Sequence, residues 1–153
     1  MDEEELERRL PAMQEEWALL NAAFIIARKA GERALARWGV TLPQAMVLVR
    51  VVDAKRPVPL THVARFMLQE SPSVTTLVDR MCERGLVERT RDPKDRRKAL
   101  IVATEKGRQL RNAARAALSE VHSDLWGAFS DDERDIFRDL LRKFRSQNIK
   151  QIK

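Results

Sequence analysis

The chain has 153 residues, enough for one domain with a sizeable core. Its net charge of +6 and pI near 10.0 favour a polyanionic partner. The apolar residues come in periodic patches, which excludes a transmembrane helix. The one cysteine, Cys82, excludes an intrachain disulfide framework and fits a reducing cytoplasm.

Charge is unevenly spread. Asp2, Glu3, Glu4, Glu5 and Glu7 crowd the start, unlike the cationic start of a secretory signal. Arg138, Arg142, Lys143, Arg145, Lys150 and Lys153 crowd the end. Between them, Leu6, Leu10, Met13, Trp17, Leu20 and Phe24 alternate steps of four and three, one apolar stripe on a helix. Pro11 interrupts the stripe and is expected to begin a second helical piece. The stripe continues weakly past Gly31 to Leu35 and Trp38, and Gly39 ends it.

Thr41-Leu-Pro-Gln44 reads as a capping box with a proline in the first turn, opening a helix through Ala45–Val52. Pro57 and Pro59 then force an extended link. Leu60, Val63, Ala64, Met67 and Leu68 outline a short helix with one buried face, and Gln69 and Glu70 make a tight connection. Ser71 is expected to cap the next helix, with Pro72 in its first turn. Val74, Leu77, Val78 and Met81 define its buried side. Ser73, Thr75, Thr76, Asp79, Arg80 and Glu83 are left toward water or a partner.

Gly85 closes that helix, and two β-prone runs follow, Leu86–Thr90 and Ala99–Ala103. Between them lies a tip of Arg91, Asp92, Pro93, Lys94, Asp95, Arg96, Arg97 and Lys98. Thr104 caps a long helix striped by Leu110, Ala114, Ala117, Leu118, Val121 and Leu125. Ser130 and Glu133 form a second capping box, and Ile136, Phe137, Leu140, Leu141 and Phe144 stripe the last helix.

Helix, glycine, then basic hairpin is the order of a winged helix-turn-helix. In that motif the second helix enters the major groove. Ser73, Thr75 and Thr76 are short groups that allow close approach, and Arg80 can reach guanine or phosphate. The same residues also fit the solvated side of an amphipathic helix; the adjoining cationic tip of Lys94, Asp95, Arg96 and Arg97 tips the reading toward DNA. A carboxylate two residues before an arginine can hold its guanidinium, which suits a narrow minor groove. The candidate DNA-binding residues are therefore Ser73, Thr75, Thr76, Arg80, Lys94, Asp95, Arg96 and Arg97.

Three stretches carry a resemblance to the MarR family of bacterial transcriptional regulators: TLPQAMVLVRVV at Thr41–Val52, SVTTLVDRMCERGLVER at Ser73–Arg89, and DPKDRRKALIVATEKG at Asp92–Gly107. The last is the most specific, with Asp95, Arg97, Thr104, Lys106 and Gly107 at the positions of the family's wing and following helix entry. The resemblance implies a mainly α fold with a small antiparallel β-hairpin wing and N- and C-terminal dimerisation helices. It places a winged helix-turn-helix lobe at 41–104 and a helical dimerisation region at 1–38 and 105–153 of a single domain, 1–153. It implies Arg97 as the minor-groove arginine with Asp95 orienting it. The chain departs from many members at Leu68-Gln69, where they carry a glycine.

The expectation is thus a cytoplasmic homodimer that binds double-stranded DNA at a pseudo-palindromic operator as a repressor. The resemblance also implies relief by a small, often aromatic, effector bound between the dimer helices and the DNA-binding lobe. Trp17, Trp38, Met46, His62 and Arg65 lie on elements that would line such a pocket, and none is singled out. No membrane partner, cofactor or metal is expected. His62 and His122 belong to no HExxH or metal-spaced cluster, and no phosphate-cradling glycine loop or nucleophile–base pair is evident, so an enzyme is disfavoured. Cys82 reads as a small packed hydrophobe. The rival readings are a winged-helix module for protein contact and a non-specific architectural DNA binder.

Overall fold

The computed structural model describes residues 3–93 and 95–149, without the side chains of residues 3, 4 and 6–8. Leu6 of the first stripe and Lys94 of the wing tip therefore lie outside what it describes. The elements run α1 (Glu3–Ala36), α2 (Leu42–Asp53), β1 (Val58–Pro59), α3 (Leu60–Met67), α4 (Ser71–Glu83), β2 (Val87–Arg91), β3 (Ala99–Ala103), α5 (Glu105–Trp126) and α6 (Asp131–Asn148).

The local capping signals act where the sequence places them. Thr41 accepts the Gln44 N–H, and the Gln44 side chain accepts the Thr41 N–H in return. Ser130 and Glu133 do the same at α6, and those hydrogen bonds hold the Glu133 carboxyl below its ordinary range. Thr104 caps α5 by accepting the Gly107 N–H at 3.0 Å. Gly85 takes a left-handed φ of 66° past α4, and the Leu86 N–H returns to the Met81 carbonyl at 2.9 Å.

Three expectations need correction. Pro11 does not divide the first helix: α1 runs 34 residues through it. The proline removes one N–H from the ladder, and the turns on either side carry the helix across. Ser71 is not the cap of α4. Glu70 is the extended boundary residue (φ −69°, ψ 147°), so Ser71 and Pro72 occupy the first two helical positions, where an N–H has no intrahelical acceptor anyway. Leu68 is not on the buried face of α3. It adopts φ 54°, ψ 38° and is 44% exposed, because the left-handed reversal swings its side chain off the stripe. The expected hairpin wing is present as β2 and β3, and β1 pairs antiparallel with β3 (Val58↔Ile101), giving a three-stranded sheet of order β1-β3-β2.

The core lies in the lobe between α2 and β3. Val47, Leu48, Val63, Val74, Val78, Met81, Leu86 and Ile101 are fully enclosed there. A second cluster of Leu35, Val40, Ala45 and Ala114 joins the end of α1 to α2 and α5. Much of the remaining helical surface, among the described residues, is exposed. Among the described residues α6 buries none, and α1 buries only Gly31 and Leu35. Trp17, Phe24, Ile136 and Leu140 are each more than half exposed. No helix among the described residues is long and apolar enough to cross a membrane.

Candidate nucleic-acid interface

Burial of Val74, Val78 and Met81 fixes which way α4 faces. Ser73, Thr76, Asp79 and Arg80 are exposed on the opposite side, while Thr75 is only half exposed. Both threonine hydroxyls are anchored to the helix backbone: Thr75 donates to the Ser71 carbonyl at 2.8 Å and Thr76 to the Pro72 carbonyl at 3.3 Å. Each proton is thus committed, leaving the oxygen as an acceptor.

At the wing, five cross-strand pairs from Val87↔Ala103 to Arg91↔Ala99 hold β2 against β3. The tip closes with the Asp92 N–H on the Lys98 carbonyl (3.1 Å) and the Lys98 N–H on the Asp95 carbonyl (2.9 Å). Asp95 accepts the Arg97 backbone N–H at 3.1 Å, and the same oxygen lies 3.6 Å from Arg97 Nε. Its grip on Arg97 is therefore mainly through the main chain, and the arginine side chain is 96% exposed. Asp95 also lies 3.6 Å from Lys98 Nζ. Arg96 is exposed beside them, and Arg89, Arg91, Arg96, Arg97 and Lys98 line a cationic cleft of about 320 Å³.

Two arginines that the sequence does not single out, Arg89 and Arg84, hold these elements in place. Arg89 of β2 meets Asp79 of α4 at 2.8 Å, tying wing to helix. Arg84, just past α4, donates to the Gln44 side chain at 3.0 Å and to the Gly39 carbonyl at 2.8 Å. The helix end is thereby fixed to the α1–α2 junction. The Thr104 hydroxyl donates to the Gly85 carbonyl at 2.7 Å, and Lys106 Nζ to the Arg84 carbonyl at 2.9 Å. A Cβ on Gly107 would collide with the Leu86 carbonyl oxygen. The threonine, lysine and glycine at the start of α5 are thus a clamp on the corner between α4 and the wing. The sequence marks Thr104 as a helix cap and all three through the family resemblance, without revealing what they hold.

Cys82 packs against the core at the inner side of α4, and burial pushes its thiol up, partly opposed by Arg89. His122 rests against Trp126, ring centres 6.0 Å apart. Among the described residues no three potential ligands gather to hold a metal.

The MarR family model matches residues 38–98. A MarR-family transcriptional regulator from Rhodococcus sp. RHA1 superposes with a TM-score of 0.79 at 32% identity, covering 86% of this chain and 93% of that one. CouR from Rhodococcus jostii RHA1, solved bound to p-coumaroyl-CoA, superposes at 0.77 with 35% identity over 82% of this chain and 88% of its own. The transcriptional regulator HosA of Escherichia coli O111:H- is 29% identical over 131 residues, 82% of this chain and 96% of HosA. The chain belongs to the MarR family of transcriptional regulators.

Proposed function

We propose that the chain is a sequence-specific repressor that binds a pseudo-palindromic operator as a homodimer and is released by a small ligand. The observation that carries the DNA reading is the joining of two elements through the Asp79–Arg89 ion pair. One is the outer face of α4 with Ser73, Thr76, Arg80 and the half-exposed Thr75; the other is the wing tip with Asp95, Arg96 and Arg97, to which the sequence adds Lys94. The lobe at 41–104 presents both, and the helical regions 1–38 and 105–153 supply the dimer contact. Arg97 enters the minor groove and α4 the major groove. Two lobes on a two-fold axis address half-sites about one helical turn, roughly 34–36 Å, apart. Genomic DNA as the target places the protein in the cytoplasm. The p-coumaroyl-CoA bound by CouR supports an aromatic effector here, which acts by favouring one spacing of the two lobes.

Fluorescence anisotropy tests this on duplexes from the chain's own upstream region and on shuffled controls at two salt concentrations. Preference for the native duplex with a steep salt slope is expected, and Arg97→Ala should weaken binding and flatten that slope by about 1. Equal binding to both duplexes indicates a non-specific binder. Absence of binding indicates a protein-interaction module.

A further inference from the structure

Among the described residues, two that are not glycine hold a left-handed backbone, Lys55 (φ 52°) and Leu68 (φ 54°). Lys55 follows the end of α2, where its N–H returns to the Val52 carbonyl at 3.2 Å. Glycine adopts this conformation without strain, so Lys55 carries a backbone cost that its exposed side chain does not recover by burial. The exposed Lys55 lines a cleft of about 340 Å³ with Arg56, Arg108, Val52, Pro57 and Val102.

The cleft forms where the end of α2 and the start of β1 meet the end of β3 and the start of α5. Val58 pairs with Ile101, so residues 55–57 run beside the end of β3 that lies away from the wing tip. The site is therefore separate from the DNA-facing surface. Its cations are under-neutralised. Among the described residues no carboxylate pairs with Lys55 or Arg56. Arg108 donates to Glu105 at 3.0 Å and to the Ala103 carbonyl at 2.8 Å. Those two bonds fix the guanidinium at the rim and leave N–H groups for a third partner. Three cations against one carboxylate, above a floor of Val52, Pro57 and Val102, match an anion with an apolar body. The volume falls within the range of small-ligand sites.

We propose that this cleft binds a small organic anion, with Lys55, Arg56 and Arg108 holding a carboxylate or phosphate head group and Val52, Pro57 and Val102 covering its apolar body. The test is independent of DNA. Amide ¹⁵N–¹H spectra of the full chain are recorded during titration with benzoate, phenyl phosphate and, as control, inorganic phosphate. One organic probe should saturate the shifts of Lys55, Val102 and Ala103 at about tenfold lower concentration than inorganic phosphate. Tighter benzoate binding assigns a carboxylate, and tighter phenyl phosphate a phosphate ester.

Lys55→Gly removes the amine and the left-handed strain together, so it should bind about tenfold more weakly while its melting midpoint holds or rises. Should that midpoint fall, the exposed Arg56→Gln carries the same binding test. Undiminished binding in these variants would overturn the proposal. So would unsaturable shifts spread over the basic surface, or equal binding of inorganic phosphate.

Discussion

Leu68 shows how one residue can sit against its own backbone preference. Its left-handed conformation costs an L-side chain about 1–2 kcal/mol, and its 44% exposure recovers little of that by burial. Leu68→Gly should therefore stabilise the chain by about 0.5–1 kcal/mol, after the added freedom of glycine in the unfolded state is subtracted. A denaturant midpoint that does not rise would mean that the leucine packs more tightly than its exposure indicates. Asp79 poses a different question. It is a carboxylate on the helix face we propose to meet DNA, so its charge alone should repel phosphate. Asp79→Asn ought to tighten binding if charge dominates, and to weaken it if the 2.8 Å tie to Arg89 is what sets the wing against the helix. We expect weaker binding with a stability change below about 1 kcal/mol, since both partners are partly exposed. Anisotropy and thermal melting read the two effects separately.

Among the elements, those governed by contacts within four residues were legible in the sequence. The Thr41–Gln44 and Ser130–Glu133 boxes, the Thr104 cap and the left-handed Gly85 each join groups one turn apart, so residue type and spacing suffice. Pro11 and Ser71 were misread for a related reason. Proline and serine mark helix starts on average, but a long helix tolerates one missing donor and a boundary can slip by a residue. The strand β1 was legible only as an extended link, because Val58 and Pro59 become a strand only when β3 lies alongside. The clamp at the head of α5 was visible as a motif but silent about its contacts. Gly107→Ala should destabilise by about 1–3 kcal/mol or more, since the added methyl meets the backbone carbonyl of Leu86 and not a yielding side chain. A thermal midpoint unchanged by this substitution would show that the corner is looser than its hydrogen bonds imply.

At the scale of the whole molecule, most described residues of the apolar stripes of α1 and α6 stay exposed. Burying a large apolar side chain contributes about 1.5–3 kcal/mol, and Ile136, Leu140, Leu141 and Phe144 of α6 all remain at least 44% exposed. A second copy with the same stripes is the cover we propose. Light scattering at micromolar concentration should give twice the 17.7 kDa chain mass, and Ile136→Glu with Leu140→Glu should shift it toward the monomer. A wild-type mass of one chain would refute the dimer and with it the two-half-site operator.

The candidate DNA surface divides along the same line between local and distant. Residue order alone marked the cationic tip with Asp95 and Arg97, the short polar groups of α4, the helix caps and the apolar stripes. Each of these is a matter of composition or of neighbours within a turn. Only the folded chain brought Arg84 to Gly39, 45 residues away, set Arg89 on Asp79, and gathered Lys55 and Arg108 around one cleft. Those contacts follow from how α2, α4, α5 and the sheet pack on a shared core. Periodicity identifies which face of each helix is buried, and packing decides which residues of different elements then meet.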